Sequence, residues 1–173
     1  MRSITLAGAA LALTGLGAAP ALASHPTAAV PTDSTRERGI VLECDGEAHG
    51  LSAYVNIYEN NTYGNYLQVI LDDDPELAAS REPTDLFRKG RVRGTIRIDG
   101  HKVRVTGHAQ RVGKRKHVHE EIDDAGQHIV SDGYHRRLAH DLVLTYRGTS
   151  VPLDCAPAFA YDLSVTKTDI TGD

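Results

Sequence analysis

The stretch from Arg91 to Val112, RVRGTIRIDGHKVRVTGHAQRV, constrains this chain more than any other. Asp99-Gly100 stands between two runs in which apolar and polar residues alternate. That is the strongest short-range signal for a β-hairpin, because a type I′ turn needs positive φ at both central residues. A two-residue loop also fixes the register, setting Ile98 opposite His101, Arg97 opposite Lys102, Ile96 opposite Val103 and Thr95 opposite Arg104. One face then carries Val92, Ile96, Ile98, Val103 and Val105; the other carries Arg91, Arg93, Arg97, Lys102, Arg104 and His108. With a period of two this regular, one face packs and the other meets water or a partner.

The same alternation recurs along the chain. Leu51 to Glu59 and Tyr66 to Leu71 flank the turn cluster Asn60 to Asn65. Strands are also predicted over Gly39–Asp45, Lys116–Ile122, Gln127–Val130, Leu138–Tyr146, Ser150–Cys155 and, last, around Phe159 to Val165, with Ser131-Asp132-Gly133 as a turn. Asp74-Pro75-Glu76 reads as a helix start, with Asp74 as N-cap, so one short helix is expected near residues 75–80. Many short strands joined by turn residues indicate an all-β antiparallel meander. Closure into a small up-and-down barrel of lipocalin-like architecture would remove the edge strands; a two-sheet β-sandwich is the alternative.

Arg2 precedes an apolar run, Ile4 to Leu22, that ends in Ala21-Leu22-Ala23. This pattern is that of a secretory signal peptide over residues 1–23. Residues 24–38 lack apolar periodicity and read as a disordered leader, 39–166 as a single β domain and 167–173 as a polar tail. A secreted, extracellular chain with two cysteines makes a Cys44–Cys155 disulfide the default, joining the start of the domain to its end. No membrane span is expected in the mature protein.

Charge is unevenly distributed. Between Arg81 and Glu120 twelve Lys or Arg face four acids, a net of +8 in a chain whose total is −4. Arg97 directly opposite Lys102 is mildly destabilising, which suggests an anionic partner unless acids from elsewhere neutralise the patch. Asp72 to Asp74, Glu121, Asp123 and Asp124 are the candidates for that, with Arg104 facing Glu121. Nucleic acid is not expected as the partner of an exported, acidic chain.

Tyr54, Asn56 and Tyr58 share one strand face, and Tyr and Asn are the chemistry of many binding surfaces. Seven of the nine histidines lie between residues 101 and 140. If Lys116–Ile122 pairs with the second hairpin strand, His108, His117 and His119, with Glu121, could hold a divalent metal such as zinc. Val118 and Ile122 would point inward and carry Glu120 with them as a buried carboxylate. Nucleophile elbow, phosphate loop, dinucleotide turn and His-Glu-x-x-His motifs are missing. The expectation is therefore a non-enzymatic binding or inhibitory module, with no cofactor required. Its partner would be an extracellular protein, glycan or small ligand, engaged through Tyr54, Asn56 and Tyr58 or through Arg93, Arg97, Lys102 and Arg104. A metal-dependent enzyme built on the histidines is the alternative.

Overall fold

The computed structural model describes residues 32–170 except Asp85. The signal peptide and the first part of the leader lie outside the described residues. All regular structure among these residues is β: β1 (Thr32–Ala48), β2 (Leu51–Asn60), β3 (Gly64–Leu71), β4 (Asp74–Arg81), β5 (Phe87–Arg88), β6 (Arg91–Ile98), β7 (His101–Arg111), β8 (Lys116–Asp124), β9 (Gln127–Tyr146) and β10 (Thr149–Asp169). The antiparallel sheet runs β4-β3-β2-β1-β10-β9-β7-β6-β5, and β8 branches from β9. The long strand β9 makes that branch possible. Its first half, Gln127 to His135, pairs with β8, and its second half, Leu138 to Tyr146, pairs with β7.

The hairpin signal gives β6–β7 as expected. Asp99 and Gly100 have φ of 48° and 72°, and all four pairs of the expected register are present. Val92, Ile96, Ile98, Val103 and Val105 are buried in a single core that also takes Leu42, Val55, Ile57, Leu67, Val69, Leu142 and Leu144. The sheet curls so that β6 lies over β3. A Cβ added at Gly94 would sit 2.7 Å from Leu67 Cδ2, so a larger residue there would have to push the Leu67 side chain aside.

The sheet does not close into a barrel. No ladder pairing joins β4 to β6 among the described residues; Arg81 Nη1 donates to the Thr95 carbonyl at 2.7 Å, and Arg93 N donates to the carbonyl of Leu86 in the connecting loop at 2.9 Å. Leu86, 1% exposed, fills the gap from the connecting loop. The edges are protected without closure, since β4 is short and carries Pro75, Glu76 and Arg81.

The short helix is also replaced by a strand. Asp74 Oδ1 does accept from Glu76 N at 2.8 Å, as an N-cap would, but the bond closes a local turn into β4. Asp72 and Asp73, both at φ 53°, make the preceding two-residue hairpin turn. Pro75 is tolerated at the start of an edge strand because its missing N–H removes no ladder bond.

Both ends of the domain reach further than the alternation implied. β1 begins at Thr32, inside the stretch read as a leader, and pairs residue by residue with β10 as far as Thr168, inside the stretch read as a tail. Ser131-Asp132-Gly133 stays within β9, with Gly133 at φ 157° where the Asp162 carbonyl comes close. Cys44 and Cys155 face each other across β1 and β10 and form the disulfide. Linking residues 111 apart stabilises the fold by up to about 4–5 kcal/mol in the loop-entropy account.

Candidate functional site

The outer face of β5, β6 and β7 is the most distinctive surface. Alternation that buries Val92, Ile96 and Val103 turns Arg88, Arg91, Arg93, Arg97, Lys102 and Arg104 outward, and all six are exposed. Register sets Arg88 opposite Arg91 and Arg97 opposite Lys102, while Arg104 stands opposite Thr95 on one side and Thr145 on the other. Among the described residues none of the six has a carboxylate within 4.0 Å. The acids expected to neutralise the patch are elsewhere. Glu121 lies opposite Val130 on the β8 branch, not opposite Arg104, and Asp123 pairs with His128 at 2.7 Å; the hairpin's own Asp99 is taken by Arg147 at 2.6 Å. Two open depressions flank this face. One, of about 680 Å³, is lined by Leu86, Arg88, Lys89, Arg91 and Arg93; the other, of about 340 Å³, by His101, Lys102, Arg104, Thr145, Arg147 and Gly148.

The histidines do not converge as expected. β8 pairs with β9, not β7, so His108 lies apart from His117 and His119 and faces Asp141, with Nδ1 to Oδ1 3.5 Å. His101 stands edge-on to Tyr146 and His135 stacks on Phe159, where burial lowers its pKa. What β8 and β9 do assemble is a ladder of imidazoles and carboxylates on one face. His119 Nε2 meets Glu121 Oε1 at 3.0 Å and its Nδ1 meets Asp132 Oδ2 at 3.1 Å. His117 reaches the same Asp132 oxygen at 3.4 Å, and His128 pairs with Asp123 at 2.7 Å. The hydrogen bonds to Glu121 and Asp132 raise the His119 pKa, favouring a ring that donates from both nitrogens. Both ring nitrogens of His119 are thus committed to carboxylates, and among the described residues no three His, Cys, Asp or Glu are placed to hold a metal ion.

Glu120 is exposed, and so is Ile122 at 57%; both were expected inward. The reason is topological. The β8 branch extends past the core, so alternation persists there with nothing among the described residues to cover either face.

The Tyr/Asn strand divides in two. Tyr58 stacks on Tyr161, and its hydroxyl accepts from Asn60 Nδ2 at 2.6 Å. Asn60 is 2% exposed, and its Nδ2 also stands 2.8 Å from both Glu37 Oε2 and the Tyr161 hydroxyl, so its two N–H groups are shared among three oxygens. Burial pushes the Tyr161 phenol far above its usual range. This is a structural polar network, and Glu37, one of its members, lies in the stretch that read as a leader. Tyr54 and Asn56 remain half-buried on the outer face beside Glu43 and Asp45; burial and those acids raise the Tyr54 pKa.

No protein-family model and no curated protein sequence matches the chain. A crystal structure of a Nitrosomonas europaea protein described as AttH is similar with a TM-score of 0.31 and 9% identity, over 79% of this chain and 52% of that one. This chain therefore spans about half of that protein, and a likeness so slight leaves function to the chain's own residues.

Proposed function

We propose that this protein is a secreted, non-enzymatic binding module whose β5–β6–β7 face takes an extended anionic chain, a sulfated polysaccharide being the type. The observation that carries this reading is the set of six outward cations, Arg88, Arg91, Arg93, Arg97, Lys102 and Arg104, without a carboxylate within 4.0 Å among the described residues. A sheet displays such charges about 4.8 Å apart across strands and about 6.5 Å apart along them, a lattice that suits repeated anionic groups better than one small ligand. Like charges held opposite each other cost stability, and an anionic partner would recover that cost. The disulfide fits an oxidising compartment, in line with secretion. No helix among the described residues is long and apolar enough to cross a membrane.

Retention on an immobilised polysulfated polysaccharide tests the reading. The unsubstituted chain is expected to bind at low salt, and a variant with Arg93, Arg97, Lys102 and Arg104 all changed to Ser should elute early while keeping its circular dichroism. Equal retention of the two folded proteins would refute it.

A further inference from the structure

At one level of the curled sheet the inward-facing positions of four strands change character together. On β1 the inner face runs Leu42, Ile40 and then Arg38; on β7, Ala109 and then Arg111; on β9, Leu138, Arg136 and Tyr134; on β10, Ala160 and then Asp162. The residues on the core side of this level are buried, and those beyond it line an open concavity of about 600 Å³, together with Arg115 from the β7–β8 connection. This mouth lies on the inner face of the sheet, whereas the six cations described above point outward.

Its charge is unbalanced. Asp162 receives Arg36 Nε at 2.8 Å and Arg38 Nε at 3.1 Å, and these guanidinium groups hold its carboxyl down to about 2. No carboxylate lies within 4.0 Å of Arg111, Arg115 or Arg136 among the described residues. Arg115 lies 4.7 Å from the centre of the Tyr134 ring, and Arg136 Nε donates to the Gly113 carbonyl at 3.1 Å, which directs both side chains along the wall of the concavity. Glu59 is a nearby acid; it is half-buried, and burial raises its pKa against the opposing charge of Arg111. Planar guanidinium forks clustered in a concave site are the usual means of binding carboxylate, sulfate or phosphate in two-point fashion.

We propose that this mouth is a second binding site, taking a small ligand with two or more oxyanion groups gripped by Arg38, Arg111, Arg115 and Arg136 against Tyr134. The volume exceeds what a single inorganic anion needs, and the four guanidiniums outnumber the two nearby carboxylates, Asp162 and Glu59, so a compact polyanion fits better than a monoanion.

Calorimetric titration with citrate, tripolyphosphate and inorganic sulfate tests the site and separates carboxylate from phosphate chemistry. One-to-one binding of citrate or tripolyphosphate is expected, tighter than that of sulfate. Changing the exposed Arg111 and Arg115 to Ser should weaken it tenfold or more, and changing Arg97 and Lys102 to Ser should leave it within twofold. In the unsubstituted protein the Nε–H resonances of Arg111 and Arg115 should shift saturably with the added polyanion, a readout that does not depend on the variants folding. Absence of saturable binding by both polyanions, or equal weakening by the two double substitutions, would overturn the proposal. Because the sites have different residues, failure here leaves the outer-face reading standing, and failure there leaves this one.

Discussion

The β6–β7 and β8–β9 hairpins start from the same plan and end in different physical states. Each has alternating residues, and each is closed by a two-residue turn with both φ values positive, Asp99-Gly100 in one and Ala125-Gly126 in the other. In β6–β7 the apolar face lies against β3, so Ile96 and Val103 are buried, and among the described residues the basic face is left free. In β8–β9 the pair projects beyond the core, Ile122 is 57% exposed, and both faces meet solvent. The charges are handled differently too. His117, His119 and His128 of β8 and β9 are matched to carboxylates at 2.7–3.4 Å, whereas the arginines of β6–β7 have no such partners among the described residues. A matched surface is complete in itself; an unmatched one, kept in a like-charge register, is suited to an external anion.

The burial half of this contrast gives the largest expected effect. Ile96→Ala should lower unfolding free energy in urea by about 2–5 kcal/mol, the range for truncating a buried large aliphatic residue. Ile122→Ala should stay within about 0.5 kcal/mol, as for exposed positions. A comparable loss at both sites would mean that the β8 branch is covered after all.

The charge half is sharpened by Lys102→Glu. Opposite Arg97 this exchanges a like-charge pair for an opposite one, so stability should rise by roughly 0.2–1 kcal/mol while retention on a polysulfated matrix falls. If retention is unchanged, the basic face is not the binding surface.

The smallest effect concerns pH. Hydrogen bonds to Glu121 and Asp132 raise the His119 pKa above its ordinary value of 6.5, with His117 the competing imidazole at Asp132. The protonated ring therefore favours the folded β8–β9 pair. Its contribution is full below the ordinary value and fades as pH rises through the raised one. An NMR titration should find His119 above free imidazole and Asp132→Asn bringing it down. A His119 value that ignores Asp132→Asn would remove the link between the two strands.

How legible the molecule was in its sequence follows from the range of each cause. Residues joined by a tight turn carried their register openly, so Ile98 to Thr95 against His101 to Arg104 could be written down in advance. Cys44 and Cys155 were legible because only two cysteines are present. Asp74 and Pro75 misled, since the same Asx bond and proline serve a helix start and an edge strand equally well. His108 was misplaced because strand pairing across a loop depends on which neighbour β9 offers, and β9 divides itself between β7 and β8. The arginine-lined mouth was hidden for a related reason. Arg38, Arg111, Arg136 and Asp162 come from four strands, and only the common level at which their inner faces leave the core brings them together. The sole local hint was the change from apolar to basic along Ile40 to Arg36.

The most direct measurement is the salt dependence of binding to a linear polysulfated polysaccharide. If the outer face of β5–β7 carries the interaction, the logarithm of the binding constant should fall steeply and linearly with the logarithm of salt concentration. Replacing Arg93, Arg97, Lys102 and Arg104 by Ser should then make the slope shallower by about one for each cation removed from the anionic chain. A slope that those four substitutions leave unchanged would contradict the account.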